Sequence, residues 1–305
     1  MNSATVKHAN HGQSTKRPSL WKDTWKKIRK KKLAMGSLYF LVFIFLFCFI
    51  GPFLSPYAGQ SVNSAIINQP PSSLHWMGTD KFGRDVLTRL MLAGRISLTV
   101  GLASMVISII LGSALGAISG YYRGLPDTII MRLADVLMSI PGLPLLLLMG
   151  ALLSELKVEP EYRIYLVMLM LSFVGWPGLA RLVRGEILTF REQAFMKATE
   201  VLGLKDRRKI FSHLLPNTVP LLIVVATLNV AGAILSESAL SFLGLGVVPP
   251  AASWGNMIDS ANSLIDFQQR PWLWVPPGFA IFLTVISINL LGDGLRDVLD
   301  PKMKQ

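Results

Sequence analysis

Six charge-free stretches dominate this 305-residue chain: 34–54, 96–122, 136–153, 164–180, 214–236 and 271–292. Each runs to about 17 residues or more, enough for a helix to cross a ~30 Å hydrocarbon layer. Charged and turn-forming residues gather between them, so the pattern predicts six membrane-spanning helices joined by polar loops. The third stretch carries Pro141 and Pro144, which predicts a break there. The first ends near Gly51-Pro52, and Pro56, Pro70 and Pro71 forbid regular helix just beyond it. In the second, Gly112 and Gly116 stand four apart, the spacing that lets helices approach closely. Packing within the bundle is the plainer use of that stripe, and a dimer seam is the other.

Composition agrees with the pattern: 51% of residues are hydrophobic and 16% charged, against about a quarter charged in a soluble domain. The net charge of +12 invites a nucleic-acid reading, but its placement argues for a membrane. Ten Lys and Arg residues precede Leu33, eight lie from Arg181 to Lys209, and three follow Leu295. These segments alternate with the spans so that all fall on one side, joined by Arg123. The positive-inside rule makes that side cytoplasmic, with both termini inside, although Lys81, Arg84, Arg89 and Arg95 lie outside. The basic stretch 21–32, with Trp21 and Trp25, suits anionic headgroups of the lipid bilayer rather than nucleic acid. Residues 1–18 are polar and aperiodic, so disorder is expected there. The basic region before Leu33 is too long for a cleaved leader.

Candidate chemistry is sparse. The single cysteine, Cys48, lies within the first span and can form neither an intrachain disulfide nor a metal cluster. His8, His11, His75 and His213 have no metal-ligand spacing and no neighbouring nucleophile. The chain contains no Gly-Lys pair, so the phosphate loop that cradles a nucleotide is missing. No catalysis, cofactor or metal is expected of this chain, and any ATP would be hydrolysed by another subunit.

The loop 181–217 is the richest segment. Thr189, with Glu192 three positions on, reads as a capping box. Phe195, Ala198 and Leu202 then share one helical face, and Gly203 reads as a C-cap. A charged turn from Lys205 to Lys209 leads to His213-Leu214-Leu215-Pro216. This order resembles the cytoplasmic coupling loop of ABC importer permeases: Glu-Ala-Ala, three residues, Gly, nine residues, Ile-x-Leu-Pro. Gly203 and Leu215-Pro216 sit at the family spacing, while Lys197-Ala198-Thr199 stands in the Glu-Ala-Ala position and His213 in that of Ile.

A second run, Gly78-Thr79-Asp80-Lys81-Phe82-Gly83-Arg84-Asp85, resembles the Gly-Thr-Asp-x-x-Gly-Arg-Asp signature of the dipeptide, oligopeptide and nickel branch. Its local charges read as mainly structural, with contact to an external binding protein as the alternative. Arg132-x-x-Asp135 before Ser139-x-Pro141 is similar to the family's third-span entry, and its spacing allows a pair on one helix face. Glu237 with 241–246, 252–255, 292–297 and Asp300-Pro301 extend the likeness over roughly residues 20–302. Glu237 follows a long charge-free stretch; it reads either as a buried structural acid or as a group on the translocation path.

The resemblance implies an all-α polytopic fold: the type I importer transmembrane domain with six spans, one an extra N-terminal helix. It implies a C-type permease subunit of a bacterial cytoplasmic-membrane importer for dipeptides or oligopeptides, with nickel chelates or another small solute as the alternative. The partners it implies are a homologous second permease, two ATP-binding cassette ATPases and an extracytoplasmic peptide-binding protein. In that scheme Phe195, Ala198 and Leu202 bury a face in an ATPase groove, Thr199, Glu200 and Asp206 make polar contacts, and Gly203 ends the helix. The expected organisation is a basic tail, 1–32; an N-terminal span and external loop, 33–93; the transmembrane domain, 94–294; and a cytoplasmic C-terminus, 295–305. The competing class, an ion-driven secondary transporter, needs connected intramembrane charges, and only Arg132, Asp135 and Glu237 are candidates.

Overall fold

A computed structural model describes residues 25–57, 59 and 61–299; the 1–18 stretch, Trp21 and Asp300-Pro301 lie outside the described residues. The principal helices are α1 (Lys32–Phe49), α2 (Val86–Tyr122), α3 (Gly124–Ser139), α4 (Gly142–Glu155), α5 (Pro160–Arg191), α6 (Ala194–Val201), α7 (Leu215–Phe242), α8 (Trp254–Ile258) and α9 (Val275–Leu299). Five of them, α1, α2, α5, α7 and α9, are long and apolar enough to cross a membrane. The pair α3–α4, bent by 87°, is long and apolar enough only when taken together and is the candidate sixth span. Pro141 causes the break: it has no N–H to donate, and it holds Ile140 extended at φ −92°, ψ 128°. Pro144 breaks nothing, because it falls in the first turn of α4, where its missing donor had no partner to lose.

The bundle is centred on α2 packed along α5. A Cβ on Gly116 would lie 2.4 Å from the Ala180 carbonyl oxygen, and one on Gly112 2.5 Å from the Leu179 Cβ. The small-residue stripe therefore serves close packing inside the chain. Ala117, Tyr121, Leu179, Val183 and Ile187 continue the contact as a buried cluster.

Helix α2 begins at Val86, ahead of its charge-free stretch, and the boundary expected at 94 falls inside it. Asp85 explains the early start, since its Oδ2 accepts from the Thr88 amide at 2.8 Å and hydroxyl at 2.7 Å. Arg89 and Arg95 are tolerated because each has a partner: Asp80 at 3.4 Å and the Phe49 carbonyl at 3.1 Å. The turn before it is tied down by Asp80, which accepts from the Phe82 and Arg84 amides and from the Arg84 side chain. Gly83 sits at φ +70°, where a Cβ would lie 1.9 Å from the Asn63 carbonyl oxygen. The Gly-Thr-Asp run is thus a fastened turn that delivers the cap of α2.

Candidate functional site

At one end of the bundle, α5 passes into the short helix α6 and then into α7, gathering the charged and aromatic residues of the 181–217 segment. The expected capping box does not form. Helix α5 continues through Thr189, whose hydroxyl donates to the Gly185 carbonyl at 3.0 Å, while Glu192 pairs with Arg123 at 2.9 Å. Ile187, buried against α2, and Arg191, donating to the Tyr121 carbonyl, carry α5 past the pattern. Gln193 stands at the start of α6 and makes no side-chain cap bond.

The far end of α6 matches the expectation. Gly203 has φ +63°, its amide donates to the Glu200 carbonyl at 3.0 Å, and the Leu204 amide reaches back to the Thr199 carbonyl at 3.1 Å. A left-handed residue closing a helix this way favours glycine, because other side chains crowd their own backbone there.

The faces of α6 divide differently from the sequence expectation. Met196 is fully buried and plugs the helix into the bundle end beside Ile187, Ile210 and Leu214. Thr199 is also turned inward, 6% exposed, with its hydroxyl donating to the Met196 carbonyl at 2.7 Å; in this conformation it presents nothing outward. Phe195 lies on the seam, half-buried against the same cluster. The outward arc carries Ala194, Lys197, Ala198, Glu200 and Leu202, together with Val201, which the sequence reading overlooked. Val201 is 89% and Leu202 74% exposed. An exposed β-branched residue near a helix end was the available signal for Val201.

Asp206 is engaged within the chain, accepting from the Tyr121 hydroxyl at 2.6 Å, with the Lys209 ammonium at 3.6 Å. After it, one helical turn, Asp206–Arg208, and a π-helical turn, Lys209–Leu214, run without interruption into α7. Three further pairs brace the same end. Asp127 takes both nitrogens of the Arg184 fork at 2.6 and 2.7 Å, Arg181 meets Asp135 at 2.6 Å, and Lys31 pairs with Asp297. Asp135 therefore joins α3 to α5, and the expected Arg132–Asp135 pair does not form: α5 offers a cation where Arg132 points away to the surface. The result is a short amphipathic helix with one root in the bundle, an apolar tip in the open, and continuous helix on the α7 side.

Glu237 is not gathered into this end. It is fully buried on α7, accepting from the Ser97 hydroxyl at 2.8 Å and the Ser241 hydroxyl at 2.6 Å, with Ser238 at 3.5 Å. Ser97 also accepts from the Trp254 amide at 3.1 Å, and Ser241 from the Val247 amide at 2.9 Å. The carboxylate thus knots α2, α7 and the loop into α8. In this conformation it is a fully buried, hydrogen-bonded acid.

The arrangement is a bundle of long apolar helices with a short amphipathic helix rooted in its basic end, which defines a polytopic membrane protein. The chain belongs to the family of binding-protein-dependent transport system inner membrane components, whose model matches residues 112–305. The model for the N-terminal TM domain of oligopeptide transport permease C matches residues 19–71. Relatives include the dipeptide transport system permease protein DppC of Bacillus subtilis (strain 168), 41% identical over 294 residues, which are 96% of this chain and 89% of that one. The oligopeptide transport system permease protein OppC of the same organism is 39% identical over 293 residues, 96% of this chain and 93% of its own. OppC of Haemophilus influenzae is 38% identical over 286 residues, 93% of this chain and 89% of its own. This chain is a multi-pass membrane permease subunit of a binding-protein-dependent transport system.

Proposed function

We propose that this permease carries dipeptides or oligopeptides, as the names of its relatives describe for them. In this reading it pairs with a second, related permease and works with two ATP-binding cassette ATPases and an external peptide-binding protein. Both termini and the α6 end face the cytoplasm. The observation that carries the reading is the outward tip of α6: Ala198, Val201 and Leu202 are exposed apolar residues on a helix whose other face is anchored by Met196. Water gives no reason to keep that tip apolar, whereas a groove on an ATPase would bury it, at ~25 cal/mol per Å² of apolar surface covered.

The geometry also accounts for force transmission. A lever must be short, capped and fixed at its root. Gly203 ends α6 sharply, Met196 fixes its base, and the Asp206–Tyr121 bond ties the following turn to α2. Movement of the ATPases would pass into α5 on one side and, through the uninterrupted helix from Asp206, into α7 on the other. Those two helices flank the broken α3–α4 crossing, so tilting them would reshape the space between subunits.

The test is affinity purification of the tagged, gently solubilised chain, with co-purifying proteins identified by mass spectrometry. A second six-span permease and phosphate-loop ATPases are the expected companions. Recovery of this chain alone, under conditions that keep a control transporter intact, would return the ion-driven class to consideration.

A further inference from the structure

A cavity of 210 Å³ lies between α2, α4, α5 and α7, lined by residues of their charge-free stretches. Ser104 and Ser108 line it from α2, Gly175 from α5, and Asn229, Gly232 and Ser236 from α7. Ser104 stands midway along α2 and Asn229 midway along α7, while Ser236 closes the 214–236 stretch, so the cavity runs from the middle of these helices toward one end.

Its polarity is unusual for such a place. Ser104 is 1% exposed and its hydroxyl has no hydrogen-bond partner. Asn229 and Ser236 likewise make no side-chain hydrogen bond among the described residues. Ser108 makes only a long one, 3.4 Å to the Ser172 carbonyl. Ser172 and Ser97 are satisfied internally, Ser172 donating to the Met168 carbonyl at 2.6 Å and Ser97 to Glu237, while Ser113, elsewhere on α2, shares the unpartnered state of Ser104. A buried hydroxyl without a partner is costly, while the half-buried Asn229 and Ser236 turn unpaired polar groups toward the cavity. Polar groups held inside a membrane mark a path for something polar.

We propose that this cavity is a substrate subsite on the translocation route, one that hydrogen-bonds the uncharged backbone amide of a passing peptide; this rests on the peptide-importer reading above. Each hydroxyl can donate or accept, and the Asn229 amide does both, which matches an N–H and a carbonyl presented together. The lining holds no charged side chain, so it offers no counter-ion to a peptide terminus; what it fits is the neutral bond between residues. Gly175 and Gly232 keep the walls thin. A Cβ at Gly232 would meet nothing within 4 Å, leaving room where a larger residue would project. A site with hydroxyls and one amide recognises the part common to all peptides and ignores side chains, as a permease of mixed peptides requires.

The test is uptake of labelled trialanine by the complete transporter in proteoliposomes, with ATP hydrolysis stimulated by the loaded binding protein measured alongside. Ser104→Ala removes a hydroxyl that bonds to nothing in the protein, so thermal stability should stay equal or rise. Uptake per ATP should fall about fivefold, the loss expected of one hydrogen bond. Gly232→Leu, which fills the space, should lower uptake further while hydrolysis continues. Uptake by Ser104→Ala equal to that of the unaltered complex would overturn the subsite and leave a cavity that holds only water. Should Gly232→Leu fail to assemble, Ser104→Ala decides alone. Absence of trialanine uptake by the unaltered complex would instead overturn the importer reading on which the subsite rests.

Discussion

Replacing Gly203 by valine acts on the one residue whose backbone must be left-handed for α6 to end where it does. At φ +63° an L-residue costs ~1–2 kcal/mol, and a β-branched one sits at the upper end of that range. If the turn rearranges to relieve the strain, it gives up the Gly203–Glu200 and Leu204–Thr199 bonds, each worth ~1 kcal/mol net. By either route the valine variant loses about 2 kcal/mol locally, a ~30-fold shift in population. An eight-residue helix has no stability to spare, because isolated helices under about a dozen residues are marginal in water. The effect is conformational and not steric, since nothing lies within 4 Å of a Cβ at this position. Uptake of a labelled dipeptide in cells lacking their own permease should fall at least tenfold, with membrane content by immunoblot unchanged. Gly203→Asn should retain most activity, because asparagine tolerates the left-handed region. Normal transport by Gly203→Val, or an asparagine variant as impaired as the valine one, would refute the reasoning.

Two further substitutions probe the scaffold. Glu237→Leu leaves the Ser97 and Ser241 hydroxyls buried without their acceptor, and unfolding in detergent should come ~2–4 kcal/mol more easily; Glu237→Gln, which keeps an acceptor, should lose less. Gly116→Val drives a side chain into the Ala180 carbonyl, 2.4 Å from the first added atom, so α2 and α5 must separate; the measured outcome should be little or no protein in the membrane.

The spans were legible because hydrocarbon imposes a length and forbids charge, and both can be counted along a chain. Position 203 was legible for a similar reason: a glycine after an amphipathic run has a local backbone meaning. What the sequence concealed depends on distant partners. The Thr189–Glu192 pattern is a capping box only if the chain turns there, and the contact of Ile187 with α2 keeps it helical. Asp135 had a cation three residues away but took Arg181, and Asp206 took Tyr121 from another helix, because packing, not spacing, decides which groups meet. The early start of α2 was hidden by Arg89 and Arg95, charges that look prohibitive until Asp80 and the Phe49 carbonyl are placed beside them. The inward turn of Thr199 and the exposure of Val201 follow from the roll of α6 about its axis, which Met196 sets by filling the bundle end.

Crosslinking from the tip of α6 shows whether that tip docks on an ATPase, as proposed above. Val201 is replaced by cysteine, labelled with a photoreactive maleimide while the native Cys48 stays shielded in the bundle, and irradiated in the assembled transporter. A product joining position 201 to a peptide of the ATP-binding cassette subunit is expected, reduced when Gly203→Val is added. Products confined to lipid or to this chain, in a preparation that still imports peptide, would contradict the docking.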